Sequence, residues 1–215
     1  MKNNNLTEMV FILDRSGSMN RLETDTIGGY NSLIEKQKNE KGMATITTVL
    51  FDDQYEIIHD HADLKKVKPI DNRIYYARGC TALLDARGKT IIHVGNRHKF
   101  APDNEIPGKT MVVIITDGYE NASREFNIKK INHMIRHQKE CHGWEFLFLG
   151  ANIDAIRTAS EFGISDDRAV KYCPDNEGTR RNFDAVSNTV SCMRADIPIN
   201  KGWKKDIENY FNSKR

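Results

Sequence analysis

The sequence predicts an α/β fold with a doubly wound, Rossmann-like sheet of six mostly parallel strands, one antiparallel edge strand and helices on both faces. Two apolar runs, residues 9–13 and 110–116, have the length and branched side chains of strands that are buried on both faces. Each run is followed by an aspartate and small residues, at Asp14 and Asp117, which favours an abrupt exit from the strand. Strand-like and helix-like segments alternate along the chain, and this alternation predicts parallel pairing.

The other elements can be placed by periodicity and turn signals. Residues 20–41 predict a first helix, and residues 44–51 and 54–59 predict an antiparallel edge hairpin around the acidic turn Asp52–Asp53. Thr81 is a candidate N-cap for a helix that extends to about Val94. The later elements are a strand at 110–116, a helix at 128–140, a strand at 144–149, a helix at 153–162, a strand at 169–172 and an amphipathic helix with Phe183, Val186, Val190 and Met193.

The length of 215 residues fits one domain covering residues 1–215. Residues 1–8 form a polar lead into the first strand. In the tail, residues 196–215, apolar side chains recur at helical spacing, at Trp203, Ile207, Tyr210 and Phe211. We expect a helix that packs on its own domain, and the alternative is a helix that binds a partner.

Composition excludes several function classes. Charged residues make up 29% of the chain but nearly balance, to a formal net charge of +2, so no basic field predicts nucleic-acid binding. No run approaches the roughly 20 apolar residues needed to span a bilayer, and the start of the chain lacks a signal-peptide pattern. We therefore expect a cytoplasmic protein. The four cysteines are Cys80, Cys141, Cys173 and Cys192. They form no CxxC pair, which argues against a structural zinc site.

Oxygen-bearing side chains follow the predicted strands at one edge of the sheet. Asp14, Ser16 and Ser18 come directly after the first strand, Asp117 ends another, and Thr81 lies in a glycine-led loop before a helix. Ligands of open parallel sheets bind at the carboxyl ends of strands, so we expect these five side chains to hold a metal ion. Mg²⁺, or Mn²⁺, suits one or two carboxylates with hydroxyls and water, whereas Ca²⁺ needs roughly six to eight oxygens, more than these loops offer.

The composition of this predicted site also indicates its use. Three neutral hydroxyls beside two acids leave much of the charge of a divalent cation without compensation, which favours one more carboxylate from outside. We therefore expect an Asp or Glu of a partner protein to complete the coordination shell. The prediction is a metal-dependent protein-binding module without catalytic residues.

These residues resemble the metal-ion-dependent adhesion site of von Willebrand factor type A (vWA) domains. The matching pattern is Asp-x-Ser-x-Ser at residues 14–18, Gly-x-Thr at residues 79–81 and Thr-Asp-Gly at residues 116–118, and all five ligand positions are filled. The likeness covers nearly the whole chain and is greatest to small stand-alone bacterial and phage members, through residues 27–31, 81–86, 117–123 and 148–155. The resemblance implies the vWA fold, and it implies binding because no residue of the family supplies a nucleophile.

The resemblance also implies individual roles at the site. In the family, the two serines and the threonine are the usual direct ligands, which implies direct coordination by Ser16, Ser18 and Thr81. The aspartates hold the metal directly or through water, which implies that role for Asp14 and Asp117.

Further polar residues follow the predicted strand ends and form a candidate partner-binding rim: Arg15, Glu120, Asn121, Arg124, Asn152 and Asp154. For Glu120 and Asp154 the alternative is a helix cap or a solvated position. Arg15 either steers an acidic partner or points to water.

Two other functions stay open at this point. A Mg²⁺-dependent phosphohydrolase would use Asp14 as its nucleophile, but Ser16 occupies the position of the required acid, and a serine does not readily transfer that proton. The second alternative is a metal-independent scaffold that binds partners through helix faces or the tail.

Overall fold

The computed structural model describes residues 2–151 and 154–214 and contains one six-stranded sheet. The strands are β1 (Asn3–Asp14), β2 (Met43–Phe51), β3 (Tyr55–Asp63), β4 (Pro107–Thr116), β5 (Glu145–Gly150) and β6 (Ala169–Lys171). Their order in the sheet is β3-β2-β1-β4-β5-β6. The hairpin partners β2 and β3 are antiparallel, and the other neighbouring strands are parallel. This architecture confirms the predicted fold class.

Helices cover both faces of this sheet because alternate residues of the central strand point to opposite sides. The helices are α1 (Glu23–Lys38), α2 (Leu83–Phe100), α3 (Ile128–His142), α4 (Ala155–Glu161), α5 (Asn176–Arg194) and α6 (Lys205–Ser213). Met9 and Phe11 of β1 pack with α1 and α5 in one core cluster, and Val10 and Ile12 pack with α2 and α3 in the other. In the described ranges no helix is long and apolar enough to cross a membrane.

The start of the chain differs from the prediction. Residues 1–8 were expected to be a polar lead, but β1 begins at Asn3, which pairs with Pro107 of β4 ahead of a register shift before Thr7, while Leu6 pairs with Met43 of β2. Backbone pairing on both sides, rather than side-chain polarity, therefore decides where this strand begins.

The tail lies against the last strand. Ile207 of α6 is buried in the core cluster that α1 and α5 share. Just before this helix, the Trp203 indole donates to the carbonyl of Asp167, and the Lys204 ammonium donates to the carbonyls of Asp166 and Ala169. These contacts hold the end of the described chain on its own domain.

The central strand also carries a buried charge, Glu8, with no exposed surface. Its carboxylate accepts hydrogen bonds from the Thr47 hydroxyl at 2.9 Å, His61 Nδ1 at 3.2 Å and His98 Nε2 at 2.5 Å. Burial alone would raise the pKa of Glu8, but hydrogen bonds and charge from His61 and His98 outweigh burial and lower the pKa to about 2. The cluster thus connects β1, β2, β3 and α2.

The direction of this shift fixes its effect on stability. The folded-state pKa lies below the ordinary value, so the contribution of Glu8 is present above about pH 4.5 and is lost as the pH falls toward 2.

We predict that Glu8→Ala lowers the free energy of unfolding by about 3 to 5 kcal/mol, because it leaves buried donors without their acceptor. Urea unfolding at pH 7, followed by circular dichroism, measures this loss. The control is Glu145→Ala, which removes a partly exposed ion pair with Arg168 and should cost at most about 1 kcal/mol. Equal losses in the two variants would contradict the assigned role of Glu8.

Candidate metal centre

The site begins at the carboxyl end of β1, where Asp14 is fully buried. One oxygen of its carboxylate accepts the backbone N–H of Ser16 at 2.7 Å, and the other accepts the hydroxyl of Thr116 at the end of β4. The Tyr75 phenol donates to the Asp14 carbonyl. Because a carboxylate oxygen accepts more than one hydrogen bond, these contacts fix the orientation of Asp14 and leave lone pairs for another group.

Three hydroxyls lie close to one another at this edge of the sheet. The Oγ atoms of Ser16 and Ser18 are 3.1 Å apart, and Ser18 Oγ donates to Asp117 Oδ1 at 2.6 Å. A Cβ atom built on Gly118 would lie 3.0 Å from Thr81 Oγ1, 3.1 Å from Ser18 Oγ and 3.8 Å from Ser16 Oγ. The hydroxyls thus surround one small region that a side chain at residue 118 would enter. The structure brings together Asp14 and the other four residues for which the sequence predicts a shared site.

The electrostatics of this cluster favour a cation. Burial, and to a smaller extent the charge of Asp117, raises the pKa of Asp14 to about 6, although hydrogen bonds from Ser16 and Thr116 lower it. Burial also raises the pKa of Asp117. Tyr75 and Tyr172 are both buried, and burial is the main reason that their pKa values are raised well above 10. The nearby carboxylates of Asp14 and Asp117 raise these pKa values further. Two buried acids with neutral phenols around them form a region of negative potential.

Thr81 reaches the cluster through a loop whose polar groups are held by another loop. Its N–H donates to Asn121 Oδ1 at 2.8 Å, and its carbonyl accepts the N–H of Asn121 at 3.0 Å. The prediction of Thr81 as an N-cap is wrong: α2 begins at Leu83, and the cap position is Ala82. The reason is that Glu120 accepts the N–H of Leu84, so the Thr81 hydroxyl is not needed as a cap.

Three of the six expected rim residues support this loop arrangement: Glu120, Asn121 and Arg124. The Glu120 carboxylate also accepts the N–H and hydroxyl of Ser123, so this side chain is a cap, which was the alternative for it. Arg124 is exposed, and its backbone N–H donates to the carboxylate of Asp85. Asp154 caps α4 by accepting the N–H of Arg157. The remaining rim candidate, Asn152, and the predicted helix start at residue 153 lie outside the described residues.

Arg15 requires a correction, because it neither points to water nor lies free at the rim. Its side chain is 1% exposed and turns toward the β2–β3 hairpin. There Nε donates to Asp52 at 2.9 Å and Nη1 donates to Glu56 at 2.7 Å. A buried guanidinium needs such acidic partners, so the acids of the hairpin decide the direction of Arg15.

Arg78, which the sequence did not indicate as a site residue, shares the carboxylate of Asp52 with Arg15 through a hydrogen bond of 2.7 Å. Tyr76 lies beside both guanidinium groups, 5.3 Å from that of Arg78 and 5.8 Å from that of Arg15. Next in the chain is Gly79, with φ +64°, where a Cβ would lie 2.1 Å from Asp53 Oδ1. The available signal was an arginine beside the Gly-x-Thr loop together with two acids at the hairpin turn.

The donor set is unusual for a metal centre because hydroxyls outnumber acids. Within residues 2–151 and 154–214, no group of three or more His, Cys, Asp or Glu side chains is placed to hold a metal ion. Hydroxyls and two carboxylates suit a hard divalent cation that keeps part of its water shell. The cluster therefore fits Mg²⁺ or Mn²⁺ chemistry better than a histidine- or thiolate-based site.

No protein-family model and no curated protein matches this sequence. Among solved structures, the chain resembles proximal thread matrix protein 1 from the mussel byssus with a zinc-occupied MIDAS motif, with TM-score 0.57 and 14% identity over 88% of this chain and 46% of that one. It resembles von Willebrand factor type A from Catenulispora acidiphila with TM-score 0.56 and 14% identity, over 88% and 43% of the two chains.

A third similar structure is the vWF domain of the type V pili tip protein Mfa5 from Porphyromonas gingivalis, with TM-score 0.64 and 9% identity over 90% of this chain and 97% of that one. The chain thus spans less than half the length of the first two structures and nearly all of the third. These likenesses show that the fold is that of a vWA domain.

Two buried acids at this edge, Asp14 and Asp52, have pKa values shifted in opposite directions, so removing their charges should change stability in opposite directions. The folded-state pKa of Asp14 is raised, so its ionised form destabilises the fold above about pH 6, and this cost is absent below about pH 3.8. For Asp52, burial raises the pKa, but hydrogen bonds from Arg78 and Gln54 and the charge of Arg15 outweigh burial and lower it.

We therefore predict that, in EDTA at pH 7.5, Asp14→Asn raises the melting temperature by roughly 2 to 8 °C. The matched substitution Asp52→Asn should lower it, because two arginines lose their shared charge partner. Differential scanning calorimetry measures both. A lower melting temperature for Asp14→Asn would show that its charge is compensated in the metal-free protein.

Proposed function

We propose that this chain is a protein-binding module whose contact with its partner passes through a divalent cation at the carboxyl edge of the sheet. The observation that carries the proposal is the convergence of three hydroxyls beside two buried carboxylates. Ser16, Ser18 and Thr81 would coordinate the ion directly. Asp14 and Asp117 would hold it directly or through water, and the ion would supply a positive centre for an incoming acid.

The choice of ion is part of the proposal. Hard oxygen donors and the small number of acids favour Mg²⁺ or Mn²⁺. Zinc belongs among the ions to be tested, because it occupies the MIDAS motif of the mussel byssus protein.

The surface beside the cluster supports a protein partner. Ser18, which carries one of the hydroxyls, is exposed, so the site opens to solvent. Tyr119, next to Gly118, is 66% exposed, and Tyr76, close to the Thr81 loop, is 40% exposed. Exposed aromatic residues and a partly exposed arginine, Arg78, are the residue types that often dominate interface energetics. A partner Asp or Glu would complete the coordination shell.

Binding without turnover is also a proposal, and it rests on the residues beside Asp14. Ser16, at the position where a phosphohydrolase needs a proton-donating acid, forms a hydroxyl–hydroxyl hydrogen bond with Ser18. A cytoplasmic location agrees with the four cysteines, which are all free thiols: Cys80, Cys141, Cys173 and Cys192.

We predict that Ser18→Ala and Thr81→Ala each weaken Mn²⁺ and Mg²⁺ binding at least about tenfold, because each removes one ligand oxygen, worth roughly 1.4 kcal/mol or more. Isothermal titration calorimetry measures the affinity. Thr81→Ser keeps the hydroxyl and should retain binding, and Ser32→Ala, on an exposed position of α1, should leave binding unchanged. Wild-type affinity in both alanine variants would remove the basis for the metal centre.

The partner acid can be tested with displayed random peptides that are selected in Mn²⁺ and eluted at low pH, so that metal-independent peptides are recovered as well. We predict that the selected peptides carry an Asp or Glu, and that replacing this residue by Asn or Gln abolishes binding. Thr81→Ala should abolish capture of the same peptides, whereas Ser32→Ala should retain it. Peptides that bind equally well in EDTA would instead support a metal-independent scaffold.

The enzyme alternative has its own readout. Hydrolysis of p-nitrophenyl phosphate that requires Mg²⁺ or Mn²⁺ and is lost in Asp14→Asn would replace binding by catalysis as the function of the site. We expect no such activity above that of the Asp14→Asn variant.

A further inference from the structure

A groove between α2 and α3 lies at the other end of the sheet and has a volume of about 770 Å³. Its lining includes Ile106 and Trp144, which directly precede β4 and β5. It is therefore separated from the metal centre by the length of a strand, ~30 Å for ten residues. A volume of this size is in the range of small-molecule sites, roughly 300 to 1,000 Å³.

The inner surface of this groove is apolar. Ile91 and Trp144 are buried core residues, and Met134 packs against the same core cluster. On the α2 side, Ile92 is 44% exposed although it lines the groove. These side chains offer a hydrocarbon or aromatic body a surface away from water.

The polar side chains around this surface include six that are cationic or become cationic on protonation: Lys2, Lys99, His98, His133, His137 and His142. None of the described residues that line the groove is an Asp or Glu. Burial lowers the pKa of His142, and the positive charges of Lys2, His137 and His98 lower it further. These groups therefore repel one another as a cluster of like charge. A bound anion would reduce that repulsion.

One acid lies beneath this cluster and compensates part of its charge. Glu8 hydrogen-bonds His98, but it has no exposed surface, and its carboxylate is also shared with His61 and Thr47. Another polar atom in the wall has no partner: Gln138 Oε1 is buried and makes no hydrogen bond within the described part of the chain. This amide therefore has hydrogen-bonding capacity that the described part of the chain does not use.

We propose that this groove binds a small organic anion made of an apolar chain and a carboxylate head. The chain lies on the surface formed by Ile91, Met134 and Trp144, and the carboxylate lies among the lysine and histidine side chains of the rim. The inference follows from charge complementarity and the apolar lining, and it does not depend on the metal centre.

Gly95 offers a way to close the groove without harming the fold. It lies within α2 and lines the groove, and the nearest atom to an added Cβ would be Gln138 Nε2 at 3.4 Å, an ordinary contact. Replacing a glycine inside a helix also removes a cost of about 1 kcal/mol relative to alanine. Gly95→Leu should therefore fill the space toward α3 and keep the helix.

The test is calorimetric titration with decanoate, in EDTA, using decanol and decylammonium as probes of equal chain length. We expect decanoate to bind at concentrations below about 1 mM and at least about tenfold more tightly than either control. The double variant Lys99→Gln/His137→Gln should weaken decanoate binding at least about tenfold. Lys129→Gln replaces a lysine that lies on α3, like His137, but outside the groove lining. It should leave decanoate binding unchanged.

The size variants separate binding in the groove from binding elsewhere. Gly95→Leu should abolish decanoate binding, whereas Gly95→Ala should retain it, with melting temperatures at or above that of the wild type in both. Absence of decanoate binding to the wild type, equal binding of decanol, or unchanged binding in Gly95→Leu would each overturn the proposal. None of these outcomes bears on the metal-binding proposal, because Mn²⁺ titration reads that site separately.

Discussion

The candidate metal centre depends on one constraint: an acidic side chain is buried at the carboxyl end of the central strand. Asp14 is held there by the Ser16 N–H and the Thr116 hydroxyl. Because β1 pairs with β4 in parallel, Thr116 and Asp117 necessarily end next to Asp14. The exit turn then places Ser16 and Ser18 beside Asp117, so sheet register and turn geometry together concentrate oxygen atoms in one place.

A surrounding layer of acids and amides makes this arrangement rigid. Asp85 of α2 accepts the backbone N–H groups of residues 124, 125 and 126, while Glu120 from the same loop caps α2 in return. Asp52 binds Arg15 and Arg78 on the other side of the Thr81 loop. Glu120 and Arg15, which were expected to meet a partner, thus act as positioning residues beside the hydroxyls of Ser18 and Thr81.

The two ends of the sheet have opposite electrostatic character. Buried acids beside neutral phenols dominate the carboxyl edge, where the potential favours a cation. Histidines and lysines surround the groove at the amino edge, and the buried acid Glu8 is already paired with two histidines. One small domain therefore carries two chemically distinct surfaces, about one strand length apart, whose charges suit ligands of opposite sign.

The sequence by itself determined the sheet and the grouping of five oxygen-bearing side chains at its edge, because both depend on local signals: apolar runs with branched residues, turn residues at their ends, and five oxygen donors in matching contexts. It did not determine the start of β1, where pairing with β2 and β4 carries a polar segment into the sheet. Nor did it determine the direction of Arg15 or the capping of α2. Those outcomes depend on acids distant in sequence, Asp52 and Glu120, because a buried charge or an unpaired helix N–H takes the partner that tertiary packing brings near it.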